Sequence, residues 1–315
     1  MICWLGGGRQ NSWVPRAIEA GGTDGWLAAF SDIINYKEAP LMLTPEDFRF
    51  FLDSGAYSAW SRGTVIDLDE YIEFIKANIE MLDAYASLDV IPGKPGAIAT
   101  QIERDAAAQQ SWRNYLYMVE DGLQPIPVYH YGEHERFLDR MLQHGCDYIG
   151  IGGLVGVPGP LRLQWLDRVF DRLTDAEGMP IVKTHGFGMT AIPLIFRYPW
   201  HSVDSTTWIK ITANGAVYLP AMQNGRFVFD EIPTIISVSD KNDKQTEGGK
   251  HANSLSPGMK RILVQWLESC GKSLAQVTES YFHRATVNVT FFRKVSELKA
   301  TRPFEKAALR RGRLL

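Results

Sequence analysis

The chain has little cysteine: Cys3, Cys146 and Cys270 are its only three in 315 residues, far apart and without a CxxC pair. That excludes a disulfide scaffold and a Cys-rich zinc site. No apolar run reaches the 18 residues or so of a membrane span. The stretch from Met1 to Gly8 has neither the basic start nor the apolar core of a signal peptide. Internal repeats and low-complexity tracts are also missing. No GxGxxG or Walker pattern surrounds Gly6-Gly7-Gly8, which reads as a plain loop. With 22% charged and 45% hydrophobic residues, general disorder is excluded too. These absences describe a soluble protein of a reducing cytoplasm, long enough to bury a core of its own.

What is present is unevenly distributed. The net charge is −3, yet Lys241 to Leu315 carries 15 Lys/Arg against 6 Asp/Glu, leaving 18 against 30 for residues 1–240. The basic residues are densest at Lys299, Arg302, Lys306, Arg310, Arg311 and Arg313. Such a split suggests a catalytic body joined to a surface for a polyanion, or else a solvated helical face with a frayed tail.

Short apolar runs recur, each ending in Gly, Asp or His. Eight read as strands: Ile2–Leu5, Trp26–Phe30, Phe48–Leu52, Tyr85–Leu88, Ile126–Tyr129, Tyr148–Ile151, Ile181–Thr184 and His201–Val203. Runs apolar on both faces suit parallel strands covered by helices. Helical spacing over Leu68–Met81, Ile102–Glu120, Glu133–Gln143 and Pro160–Leu173 fills the intervals. The alternation predicts an α/β fold, a (β/α)8 TIM-like barrel over residues 1–235. After Trp208, short runs at 209–213, 217–219 and 226–229 around Asn214-Gly215 and Asn224-Gly225 predict a small antiparallel appendage. Residues 236–256 read as a polar linker and 257–315 as a basic helical region that contacts nucleic acid.

Active sites of such barrels form where the strands end. The third run ends in Asp53-Ser54-Gly55-Ala56-Tyr57, the fourth in Asp89 and the fifth in His130. The sixth ends in Gly152-Gly153-Leu154, the seventh in His185 and the eighth in Asp204. Singly, each Asp could be a cap or turn residue and each His a structural one. Together, two converging carboxylates suit chemistry at an anomeric carbon, one attacking and one moving a proton. A third can accept from the N–H groups of a purine-like base, with Tyr57 as a stacking face and the glycines allowing close approach. His130 and His185 are candidates to hydrogen-bond the base or a phosphate.

In order and rough spacing, Asp53-Ser54-Gly55-Ala56-Tyr57, Ser87-Leu88-Asp89, Gly152-Gly153-Leu154 and Ser202-Val203-Asp204-Ser205 resemble the signatures of the tRNA-guanine transglycosylases over about residues 48–208. The likeness is closer to the shortened phage and bacterial relatives that insert 7-deazaguanines into DNA. It implies exchange of guanine for 7-cyano-7-deazaguanine (preQ0) or a relative, in the chemistry of queuosine, with no cofactor. By that resemblance Asp204 is the nucleophile and Asp53 the acid/base. Ser54, Tyr57, Asp89, His130, Gly153, Leu154 and His185 form the substrate site. The CxCxxC…H zinc cluster of the tRNA enzymes has no counterpart here, Cys270 standing alone with His283 thirteen residues on, so no metal is expected. DNA and the free base are the expected partners, no membrane is involved, and a phage-encoded copy would act in the host cytoplasm. Three alternatives stay open: a zinc-free tRNA transglycosylase, a metal-dependent barrel hydrolase using Asp53, His130, His185 and Asp204, and a non-enzymatic nucleic-acid-binding accessory protein.

Overall fold

A computed structural model describes residues 1–7, 13–23, 25–33, 49–241, 250–298 and 303–306. All eight expected strands form, although Phe48 of the third run lies outside the described residues. They are β1 (Ile2–Gly6), β2 (Gly25–Ala29), β3 (Arg49–Asp53), β4 (Ala84–Tyr85), β5 (Val128–His130), β6 (Tyr148–Gly152), β7 (Lys183–Gly186) and β8 (Ser202–Ser205). All pair in parallel in one curled sheet of order β4-β3-β2-β1-β8-β7-β6-β5. Among the described residues no strand ladder joins the two edges. They meet at one isolated parallel bridge, Ala86 with Ile126. There Ser87 N–H donates to Ile126 O at 2.8 Å and Ile126 N–H to Tyr85 O at 2.9 Å.

Helices flank this sheet: α1 (Trp13–Ala20), α2 (Phe30–Ile33), α3 (Ala56–Arg62), α4 (Leu68–Ala77), α5 (Gln101–Glu120), α6 (Glu135–His144), α7 (Gly159–Arg172) and α8 (Ile192–Arg197). Their ends follow local chemistry. Asp67 caps α4 by accepting from Glu70 N–H, and Thr100 with Glu103 forms a reciprocal capping box on α5. Gly145, at φ 88°, closes α6 in the left-handed conformation.

Strand alternation sorts the side chains into two cores. One set, including Cys3, Leu5, Trp26, Phe50, Ile149 and Val203, packs with the helices. The other, Trp4, Leu27, Phe51, Ala86, Ile126 and Val128, fills the inner face of the curl. Asp53 stands two residues beyond Phe51, His130 two beyond Val128, and His185 two before Phe187, which packs on this inner core. With a side-chain period of two, these polar groups lie on the same inner face, above an apolar plug.

Beyond β8 the chain departs from expectation. Residues 209–213 belong to helix α9 (Thr207–Ala213), not to a strand. Trp208 and Thr212, one helical turn apart, are both buried, and Gly215 at φ 74° follows Asn214 at the helix end. An Asn-Gly pair serves equally as a hairpin turn or a helix stop, and here tertiary burial selects the second. The other Asn-Gly does turn a hairpin, between β10 (Ala221–Gln223) and β11 (Arg226–Val228). β9 (Ala216–Leu219) pairs instead with an unforeseen strand, β12 (Thr234–Ser237). The segment read as a linker is anchored at both described ends: Val238, Ser239, His251 and Ala252 are buried, while 242–249 lie outside the described residues.

Helices α10 (Pro257–Ser269), α11 (Leu274–Glu279) and α12 (Tyr281–Leu298) follow. α12 packs on α1, α9, β9 and β1, so the C-terminal helices share the core of the sheet. Asn288 ties them together: its Nδ2 donates to Thr212 Oγ1 (2.8 Å) and Ala216 O (3.1 Å), and its Oδ1 accepts from Tyr218 N–H (2.9 Å). Trp266 and Phe291 are buried in this core. Among the described residues no helix is long and apolar enough to cross a membrane.

Candidate active site

Two polar constellations sit on the inner face. The first spans the seam between β3, β4 and β5. Ser54, fully buried just after β3, donates to Asp89 Oδ1 at 2.9 Å. Asp89 Oδ2 lies 2.8 Å from His130 Nε2, and His130 Nδ1 lies 2.9 Å from Glu133 Oε1. Burial would lower the His130 pKa, but hydrogen bonds to Asp89 and Glu133 and their charges outweigh it, raising the pKa to about 10. Both ring nitrogens are therefore occupied. The direct contact between His130 and a base suggested by the sequence has no free nitrogen to make it. Asp53 flanks the same group: the Tyr71 phenol is raised well above its ordinary pKa by burial first, then by Asp53 and Asp89.

The second constellation rises through β6, β7 and β8. Tyr148 Oη and Ser202 Oγ are 2.5 Å apart, and Ser202 Oγ lies 2.6 Å from His185 Nδ1. His185 Nε2 approaches Asp204 Oδ1 at 3.4 Å, an electrostatic contact and not an aligned hydrogen bond. His185 is wholly buried between Phe51 and Phe187, which lowers its pKa despite Asp204. It is thus a neutral ring beneath Asp204 and not a residue of the open rim. The consistent hydrogen-bond direction runs Tyr148 to Ser202 to His185 Nδ1, leaving Nε2–H toward Asp204. Asp204 Oδ1 also accepts from Gly188 N–H at 2.6 Å. Gly188 itself sits at φ 63°, in the left-handed region that favours glycine. Oδ1 is the oxygen that the amide holds, and Oδ2 is left outside that hydrogen bond.

Around these groups, Gly153 at φ 72° carries the chain past His130: a Cβ there would lie 3.0 Å from Tyr131 N and 3.3 Å from His130 Cβ. Leu154 is buried beside it. Tyr57 is 54% exposed, its ring 5.7 Å from that of Trp60, an open aromatic face on the rim. The loop bearing Asp89 is fixed from outside. Asn114 Nδ2 donates to Leu88 O at 2.8 Å and Val90 N–H to Ser111 Oγ at 2.9 Å.

Of the six basic candidates, Lys299, Arg302, Arg310, Arg311 and Arg313 lie outside the described residues. Lys306 is described, and its Nζ donates to Asp171 O (3.1 Å) and Thr174 O (3.0 Å) at the end of α7. Among the described residues no three His, Cys, Asp or Glu side chains gather as a metal cluster. No role was legible in the sequence for Glu133 or Tyr148, nor for Ser202 beyond its place in the Ser202-Val203-Asp204-Ser205 motif. Ser202 was findable, standing two residues before Asp204 on the same strand face. Glu133 was not, because its role depends on the loop that folds it back under His130. Comparison with family models and with curated proteins finds no match.

Proposed function

We propose that the protein is a DNA guanine transglycosylase, working on a (β/α)8 barrel that closes at the Ala86–Ile126 bridge. The supporting observation is the state of Asp204: a carboxylate on the inner face whose Oδ1 is held by Gly188 N–H, leaving Oδ2 to react. In this reading Oδ2 attacks C1′ of a deoxyguanosine and the C1′–N9 bond breaks, its electron pair leaving with guanine. Asp53 delivers a proton to the departing base. It then takes the N9 proton of an incoming 7-deazaguanine, whose nitrogen attacks C1′ and frees Asp204. Protons and charge balance over the two halves, and no oxidant or nucleotide is consumed. Asp89 accepts from the N–H donors of the base, Tyr57 stacks on it, and the Gly153–Leu154 backbone borders it. A base in a duplex must first be extruded, at a cost of a few kcal/mol. The basic residues after Lys241 hold the phosphates.

Mass spectrometry of nucleosides from DNA incubated with the protein and 7-cyano-7-deazaguanine tests this. The wild type should insert the base and leave a trapped protein–DNA adduct on denaturing gels, and Asp204→Asn should do neither while remaining folded. Near-normal turnover by Asp204→Asn puts the nucleophile elsewhere. Exchange on RNA alone moves the assignment to a tRNA substrate.

A further inference from the structure

The line Ser54–Asp89–His130–Glu133 contains one residue that contact with a base does not require. Glu133 is buried in the loop after β5, and its Oε2 has no hydrogen-bond partner among the described residues. Its place is nonetheless well fixed. Glu133 N–H donates to His130 O at 3.2 Å, and Tyr129 Oη donates to Glu133 O at 3.1 Å. Gly132 at φ 83° makes the turn, where a Cβ would collide with Arg104 Nη1. Asp89 is as firmly held at the other end, by Ser54 and by the α5 contacts of its loop.

The distances constrain the charges. A neutral imidazole has one N–H, so one of its nitrogens would face a carboxylate lone pair at 2.8 or 2.9 Å. An imidazolium satisfies both ends. The charges that act on the ring are those of Asp89 and Glu133; Tyr129, its chain neighbour, has a raised phenol pKa and adds none, and the Arg104 cation donates to Tyr131 O. Gly152, against the ring from β6, is uncharged. Each Asp89 oxygen accepts one inward hydrogen bond and keeps a lone pair for a ligand.

We infer that Glu133 is a positioning residue for base recognition: through His130 it holds Asp89 in one orientation, so that the site takes a heterocycle edge bearing N–H donors. This rests on the transglycosylase reading. The alternative, a buried carboxyl that merely completes the loop, makes no demand on the charge of His130.

Glu133→Gln separates the two, because the amide preserves shape and one acceptor while removing the charge. Guanine binding to the full chain, measured by equilibrium dialysis at pH 7.5, should weaken roughly tenfold, with kcat for exchange changed less than about twofold. Nitrogen-15 NMR of the His130 ring should show both nitrogens protonated in the wild type at pH 8, and a lower pKa in the variant. Glu133→Asp serves if the amide variant fails to fold, and should weaken guanine binding less than Glu133→Gln does in any fraction that folds. A folded Glu133→Gln with unchanged guanine affinity, or a neutral wild-type His130 at pH 8, overturns the inference. A wild type that binds no guanine overturns the transglycosylase reading and the recognition role with it. A doubly protonated ring in that same protein would then locate the failure in the substrate and not in the relay.

Discussion

Removing the imidazole between Asp89 and Glu133 should be among the most damaging single changes to this fold. In His130→Ala the two carboxylates lose the cation that lies 2.8 and 2.9 Å from them, and the Glu133 carboxylate is stranded in its buried loop. Breaking one side of a buried ion pair costs about 3–5 kcal/mol, since the remaining charge is left uncompensated. For a chain of this size that corresponds to a fall in Tm of order 10 °C. The loss should depend on pH with a definite sign. The wild-type His130 gains partners on folding and its pKa rises from 6.5 to about 10. Its contribution is therefore complete below about pH 6.5 and fades as pH climbs through 10. In the variant the penalty is that of a buried charge without its cation, so acid that neutralises the charge shrinks the loss as pH falls. The gap between the proteins is then widest near neutrality and narrows in acid and in alkali. Adding Glu133→Gln to His130→Ala removes the stranded charge and should restore more than half of the loss. Urea unfolding at pH 5, 7 and 9.5 measures all three quantities. A loss below about 1 kcal/mol, flat across that range, would refute the bridging imidazolium.

The strands were legible because a parallel sheet covered on both faces must be built from runs apolar on both faces. Their ends were not. β5, β7 and β8 each extend one or two residues past the apolar run, to His130, Gly186 and Ser205. A polar residue in the ladder breaks the pattern where the site begins. The stretch 209–213 was misread because Asn214-Gly215 has two structural uses that local sequence does not separate. β12 escaped because Ile235-Ile236 is too short an apolar run, and only the partner β9 gives it a place.

The site divides in the same way. Asp53, His130 and Asp204 were found by position, as the residues that follow apolar runs, and strand parity with the parallel register puts them on one face. Their interactions were hidden. Asp89 and His130 are 41 residues apart and meet only because β4 and β5 come together at the Ala86–Ile126 bridge. His185 looked like a rim residue because it precedes Gly186, yet its register with Ser202 seats it inside the sheet. A histidine two residues deeper is buried and neutral, not poised to titrate against a ligand.

Two further outcomes follow from individual positions. Gly153→Ala forces a left-handed backbone on a residue with a Cβ and presses it against Tyr131 and His130. A loss of about 1–2 kcal/mol in unfolding free energy is expected, with weaker guanine binding, and an unchanged binding constant would remove Gly153 from the base pocket. For the basic C-terminal segment, cutting the chain after Leu298 is the wrong instrument. It would delete Phe304, which is buried against Tyr198 and Phe170, along with the hold of Lys306 on α7. Replacing Arg310, Arg311 and Arg313 by Ser leaves that anchor in place. If each of these arginines neutralises a duplex phosphate, DNA affinity falls and the slope of log affinity against log salt shrinks by about 0.9 for every phosphate set free. Guanine binding should not change if the base site is, as proposed, the one formed by Asp89, Tyr57 and Gly153. An unaltered slope would mean that these arginines touch no DNA, and the phosphates would then have to be sought on the rim around Tyr57.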